Sequence, residues 1–194
     1  RSGESVFVSG AAGAVGSAVG HIARRLGASK VVGSAGSAEK VAATVERYGF
    51  DASLNYKDAP VRRQLREHFG DVDGEGIDVY FDNVGGDHLE AAIDLMNDGG
   101  RLALCGAISS YNATERSPGP DNLWLAITRG LTLQGFTVNK YMDLFGEFAS
   151  TVGPWVASGE ITFDETVVDG IDNAVDAFLD MMRGANLGKM VVRI

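Results

Sequence analysis

Residues 5–16, Ser5-Val6-Phe7-Val8-Ser9-Gly10-Ala11-Ala12-Gly13-Ala14-Val15-Gly16, run an apolar stretch into a glycine-rich turn. Ser5 to Ser9 ends at Gly10 and reads as a buried strand. From about Ala14 to Leu26, the residues Val15, Val19, Ile22, Ala23 and Leu26 share one helical face, and Gly27 stops the helix. Outward from this unit the pattern repeats. Lys30 to Ser34 is a second strand, and a helix starts at Ser37 and runs to Tyr48. Ala52 to Tyr56 is a brief third strand and Val61 to Phe69 a helix. Asp71 to Gly76 is expected to be a solvated turn. Ile77 to Asp82 is a fourth strand, followed by a helix from about Asp87 to Met96. Arg101 to Cys105 is the fifth. A helix over about Asp121 to Arg129 and a sixth strand, Leu131 to Val138, come next. Apolar strands alternating with helices imply a parallel sheet covered on both faces. Right-handed crossovers favour doubly wound topology, so the fold class is α/β, a Rossmann-type parallel sheet of about six strands. This domain is expected over residues 1–162. A tail, 163–194, reads as strand, helix (Ile171 to Met182) and strand (Met190 to Ile194).

Composition excludes several functions. Of 194 residues, 45% are hydrophobic and 22% charged, which is the balance of a soluble globular domain. The formal net charge of −9 argues against a nucleic-acid surface, which needs a basic face. It does not argue against an anionic cofactor, because a few local donors hold one phosphate. No apolar stretch approaches the ~20 residues that span a bilayer, and no secretory signal pattern is present. The single cysteine, Cys105, rules out an internal disulfide framework and points to a cytoplasmic location.

A strand that turns sharply into a helix offers backbone N–H groups and a helix N-terminus to an anion. Ala11-x-Gly13-x-x-Gly16 has the spacing of the dinucleotide fingerprint, with alanine at the first glycine. A site for NAD usually presents Asp or Glu at the tip of the second strand. Here that tip is Gly33-Ser34, leaving room for a 2′-phosphate that Ser37 and Lys40 could bond. The cofactor expected is therefore NADP(H).

The segments Ala11 to Gly16, Gly36-Ser37-x-x-Lys40, Asn55-Tyr56-Lys57, Tyr80 to Gly86, Cys105 to Asn112 and Asn186 to Lys189 together resemble the medium-chain dehydrogenase/reductases. The branch is the zinc-free one of prostaglandin reductases and of alkenal and curcumin double-bond reductases. The resemblance implies that the backbone of Ala12, Gly13, Ala14 and Val15 meets the pyrophosphate. It gives Lys40 and Tyr56 the 2′-phosphate end. Asn83 would lie at the carboxyl edge of the sheet. Cys105, Gly106, Ala107, Ile108, Ser109, Ser110 and Tyr111 would pass the adenosine and nicotinamide riboses. Phe136, Thr137 and Val138 would face the nicotinamide, and Asn186 would reach it from the tail.

The resemblance further implies hydride transfer from NADPH to the β-carbon of a small enal or enone. Charge then builds on the carbonyl oxygen, which calls for a preorganised donor, and Tyr111 is the catalytic candidate. The family carries a barrel-like domain upstream, on which the tail would dock. These 194 residues are thus expected to be the cofactor-binding part of a longer enzyme and inactive alone. No metal site is expected, since His21, His68 and His88 are scattered and one cysteine builds no sulfur-rich site. A quinone reductase and a non-catalytic NADP-sensing module are the alternatives. The sixth strand is expected at an open sheet edge, pairing two copies into a homodimer.

Overall fold

The structure is a computed structural model describing residues 1–70, 75–115 and 118–194. Its elements run β1 (Ser5–Val8), α1 (Ala14–Arg25), β2 (Lys30–Ala35), α2 (Ala38–Arg47), β3 (Ala52–Asn55), α3 (Val61–His68), β4 (Ile77–Asp82), α4 (Gly86–Leu95) and β5 (Met96–Leu104). Then follow α5 (Ile108–Tyr111), α6 (Leu125–Thr128), β6 (Thr132–Gly135), α7 (Phe145–Ala157), β7 (Glu165–Asp169), α8 (Ala174–Met182) and β8 (Lys189–Arg193). Six strands form one parallel sheet in the order β3-β2-β1-β4-β5-β6, and β7 and β8 pair separately. This is the expected doubly wound sheet, with its topological switch between β1 and β4.

Alternation along the central strands splits the core into two layers. Phe7, Val32, Leu54 and Tyr80 face α3 and α4, where they meet Leu65, Phe69, Ala92 and Ile93. Val6, Val8 and Val31 face α1 and α2 with Ala43, Tyr48 and Phe50. Val6, Phe7 and Val8 of the central strand β1 are buried on both faces of the sheet, which is why they read as an unbroken apolar run.

Several boundaries differ from the expected ones for identifiable reasons. The sixth strand stops at Gly135, because β5 pairs no further than Leu104 and the next N–H groups, of Cys105 and Gly106, turn to Asp82 O. Residues 121–124 are not helical. There the Asn122 amide donates to Glu90 O at 2.8 Å and Asp94 Oδ1 at 2.6 Å, drawing the segment onto α4. The helix α7 was not expected at all, since Gly146, Gly153 and Pro154 punctuate it. The expected turn at Asp71 to Gly76 falls largely on residues 71–74, outside the described residues. No helix among the described residues is long and apolar enough to cross a membrane.

The first helix lies close against the turn that starts it. A Cβ on Gly16 would stand 2.7 Å from Ala11 Cα and 2.9 Å from Gly10 C, backbone atoms that cannot swing aside. Gly153, in α7, has nothing within 4 Å of such a Cβ. Gly16→Ala is therefore expected to destabilise the chain by about 1–3 kcal/mol or more, the cost of overpacking. Gly153→Ala should instead stabilise it by about 0.5–1 kcal/mol through helix propensity. Urea denaturation of both variants checks the contrast.

Candidate cofactor-binding site

The carboxyl ends of the six strands form one rim, and a crevice opens where β1 and β4 send their connections to opposite faces. At its floor, Gly10 adopts φ +63°, Ala11 N–H donates to Ser34 O at 2.8 Å, and Gly13 N–H returns to Gly10 O at 3.1 Å. Gly13 is the N-cap of α1 and supplies no side-chain cap. The first N–H groups of that helix, from Ala14 and Val15 onward, are left for an outside acceptor. Ala11 and Ala12 are buried, and Val15 is exposed at the mouth.

Gly33 lies inside β2, where a side chain would meet Ala11 Cβ at 2.7 Å. The strand runs past the expected tip at Gly33-Ser34 to Ala35, so the strand end is Ala35-Gly36, which also carries no acid. Just beyond, Ser37 Oγ caps α2 by accepting from Lys40 N–H at 3.3 Å, which leaves its own proton free. Tyr56 is half exposed, its hydroxyl against Gly36 and its ring edge-on to His88 with centroids 5.4 Å apart. Ser37, Lys40 and Tyr56 thus gather at one corner. Lys57 belongs there too, since burial and its like charge hold Lys40 below the ordinary lysine value. Its place beside Tyr56 in the sequence was the signal for it.

Lys40 Nζ also donates to Gly184 O at 2.5 Å, a contact across 144 positions. The tail is tied to the turn at a second point, where Gly188 N–H donates to Ala12 O at 2.8 Å and Gly188 bridges Gly13. Asn186, between the two ties, donates to Gly188 O at 2.7 Å. Asp164 anchors the other strand of the tail by accepting from the Tyr48 hydroxyl and pairing with Arg47. Burial and this carboxylate push the Tyr48 phenol well above its ordinary value.

On the other side of the switch, Asn83 does not cap α4, whose N-cap is Gly85. Its amide donates to Ser9 O at 2.7 Å and its N–H to Ser9 Oγ at 2.9 Å, which joins β4 to β1. Residues 105–111 hang from this turn. Cys105 and Gly106 donate to Asp82 O, Ile108 to Asn83 O, and Ser109 to Val84 O through both N–H and hydroxyl. Burial, then the charge of Asp82, raises the Cys105 thiol. Ser110 Oγ closes onto Ala107 O at 2.8 Å. Tyr111 is exposed, and its hydroxyl accepts from Ala107 N–H at 3.2 Å, leaving its proton available to an outside oxygen. Phe136 is half buried between Phe81 and Tyr141, whereas Thr137 and Val138 lie exposed beyond β6.

These features define a dinucleotide-binding domain. A family model described as zinc-binding dehydrogenase matches residues 14–157, and the chain belongs to that family. The chain is 46% identical over its full length to prostaglandin reductase 1 of Bos taurus, of which it covers 57%. It is 42% identical to a 2-alkenal reductase (NADP(+)-dependent) of Nicotiana tabacum, also over its full length and 55% of the relative. The crystal structure of CurA in complex with NADPH, from Vibrio vulnificus, superposes with a TM-score of 0.91 at 39% identity, over all of this chain and 57% of that one. The expected resemblance to the medium-chain reductases is borne out. The chain spans about half the length of the curated relatives it matches. Despite the family's description, no group of three or more His, Cys, Asp or Glu among the described residues could hold a metal.

His88 lies under Tyr56, 5% exposed, with Nε2 unpartnered, and burial pushes its pKa down to about 4 against the nearby Asp82 and Asp87. Below about pH 6.5 the unfolded chain takes up a proton that folded His88 refuses until about pH 4. Its stability contribution is thus full above pH 6.5 and falls by about 3 kcal/mol as pH drops through 4. Burial shifts His21 and His68 in the same direction. Urea midpoints between pH 4 and 7 should fall steeply in the wild type and less so in His88→Phe, which keeps a ring against Tyr56.

Proposed function

We propose that the chain is the cofactor-binding domain of a reductase that uses NADP(H) to saturate the C=C bond of α,β-unsaturated aldehydes or ketones. The observation that carries this reading is similarity along the whole of this chain to just over half of an NADP(+)-dependent 2-alkenal reductase and of prostaglandin reductase 1, on a chain whose Ser37, Lys40 and Tyr56 gather beside an acid-free strand tip. When bound, NADPH supplies the hydride. The backbone of Ala12, Gly13, Ala14 and Val15 holds the pyrophosphate at the start of α1. Lys40 holds the 2′-phosphate with Ser37 and Tyr56, and a lysine ammonium has three donors, enough for both phosphate and Gly184 O.

Cys105 to Tyr111, Phe136, Thr137, Val138 and Asn186 line the nicotinamide side. Tyr111 donates to the substrate carbonyl oxygen as charge builds there, a role suited to a hydroxyl whose proton is not used by Ala107 N–H. Exposed Phe163, Val175, Phe178 and Leu179 on the tail pack against a further, barrel-like domain of the whole enzyme. The enzyme is cytoplasmic. It pairs as a homodimer through β6, whose outer edge no strand covers among the described residues.

Calorimetric titration tests the cofactor assignment. Lys40→Ala should weaken NADPH by about ten- to a hundred-fold, the worth of a charge-assisted phosphate contact, and leave NADH nearly unchanged. An equal loss for both nucleotides would mean that Lys40 acts through the tail. In the whole enzyme, turnover of quinones but not enals overturns the substrate class. For the dimer, light scattering should give twice the chain mass, and a charge placed in β6 at Leu133 should halve it.

A further inference from the structure

We infer that Asp82 is a positioning residue that holds the 105–111 segment in place from beneath, through the turn joining β4 to α4. Asp82 is 2% exposed, and one of its oxygens, Oδ1, collects four donors. Two come from the sheet, Tyr80 Oη at 2.6 Å and Ser9 Oγ at 3.1 Å. The other two are the turn's own N–H groups, Val84 at 2.9 Å and Gly85 at 2.8 Å. A carboxylate is the side-chain acceptor that satisfies so many converging donors at once, and hydrogen bonds to a charged group are the stronger class. Gly85 and Gly86 take φ of +72° and +52°, so the turn has a backbone shape that its own sequence does not enforce.

The loop is then built on that turn. Asp82 O receives Cys105 and Gly106, Asn83 O receives Ile108, and Val84 O receives Ser109 twice. Among the described residues, every backbone tie from residues 105–109 to another element thus ends on residues 82–84. The segment carries Tyr111 and has no buried hydrophobic residue of its own. Asp82 therefore sets the position of Tyr111 without touching any ligand. This goes beyond the functional reading and needs no nucleotide to be tested.

The test is hydrogen–deuterium exchange of the chain, comparing residues 105–109 with β2. Asp82→Asn keeps the volume but turns part of the acceptor into a donor. It should speed exchange at 105–109 by about tenfold while β2 stays within about twofold, since a charge-assisted bond is worth about that factor. Equal acceleration of both segments, or none at 105–109, overturns the proposal. Should Asp82→Asn not fold, Tyr80→Phe removes one donor and leaves the carboxylate charged, with the same contrast expected at smaller size. Ser109→Ala removes the hydroxyl bond to Val84 O, keeps the backbone one and leaves Asp82 untouched, and should loosen the same residues to a smaller degree. In these last two variants, alkylation of Cys105 by iodoacetamide is a second readout. They retain the Asp82 charge that itself raises the thiol, so faster labelling reports loop opening. If no NADPH binds the wild-type chain, the cofactor assignment falls while these rates still decide the role of Asp82.

Discussion

The contact between Ser9 and Asp82 across the β1–β4 pair is the constraint on which the rest depends. At that point two neighbouring strands end and their chains leave for opposite faces of the sheet, which strips both of ladder partners. Ser9 N–H still reaches Phe81 O at 3.1 Å, Ser9 Oγ accepts from Asn83 and donates to Asp82, and the Asn83 amide returns to Ser9 O. The backbone groups that the divergence would orphan are thereby satisfied by three short polar side chains. Without them a crevice here would carry unpaired buried polar groups, each at a cost of about 1–3 kcal/mol.

That stitching also explains how an acidic chain offers a home to a polyphosphate. The formal charge is −9, yet Asp82, at the end of β4 beside the crevice, is turned inward and surrounded by donors. What faces outward is the uncapped start of α1, with Lys40 and Lys57 at the adjacent corner. Local geometry decides anion binding, and net charge acts only at long range through a salt-screened field.

The tail shows a related economy of contacts. Gly188 has φ +64°, and a side chain there would collide with Asp164 O. Glycine is required so that the chain can bend into Ala12 O on one side and Asp164 on the other. Through Gly184 and Gly188 the tail grips both the lysine corner and the glycine turn, so its position and the shape of the crevice are set together.

Much of the fold was legible in the residues themselves. Apolar runs at β1, β2 and β4, glycine stops after α1 and α2, and the spacing of Ala11, Gly13 and Gly16 are local signals, and local steric rules read the strand–turn–helix from them correctly. The failures were local as well. Gly146, Gly153 and Pro154 broke up the pattern of α7, and the side chain of Asn122 overrode a helical stretch by bonding to α4. Of the site, the sequence by itself determined the residue types and which strand end each follows. Only the tertiary structure decided that Asn83 bonds β1 rather than capping α4, that four donors meet on Asp82, and that Lys40 holds Gly184 O. The reason is physical: periodicity records which face a residue occupies. A hydrogen-bond partner tens of positions away depends on strand order and register, which exist only once the sheet has closed.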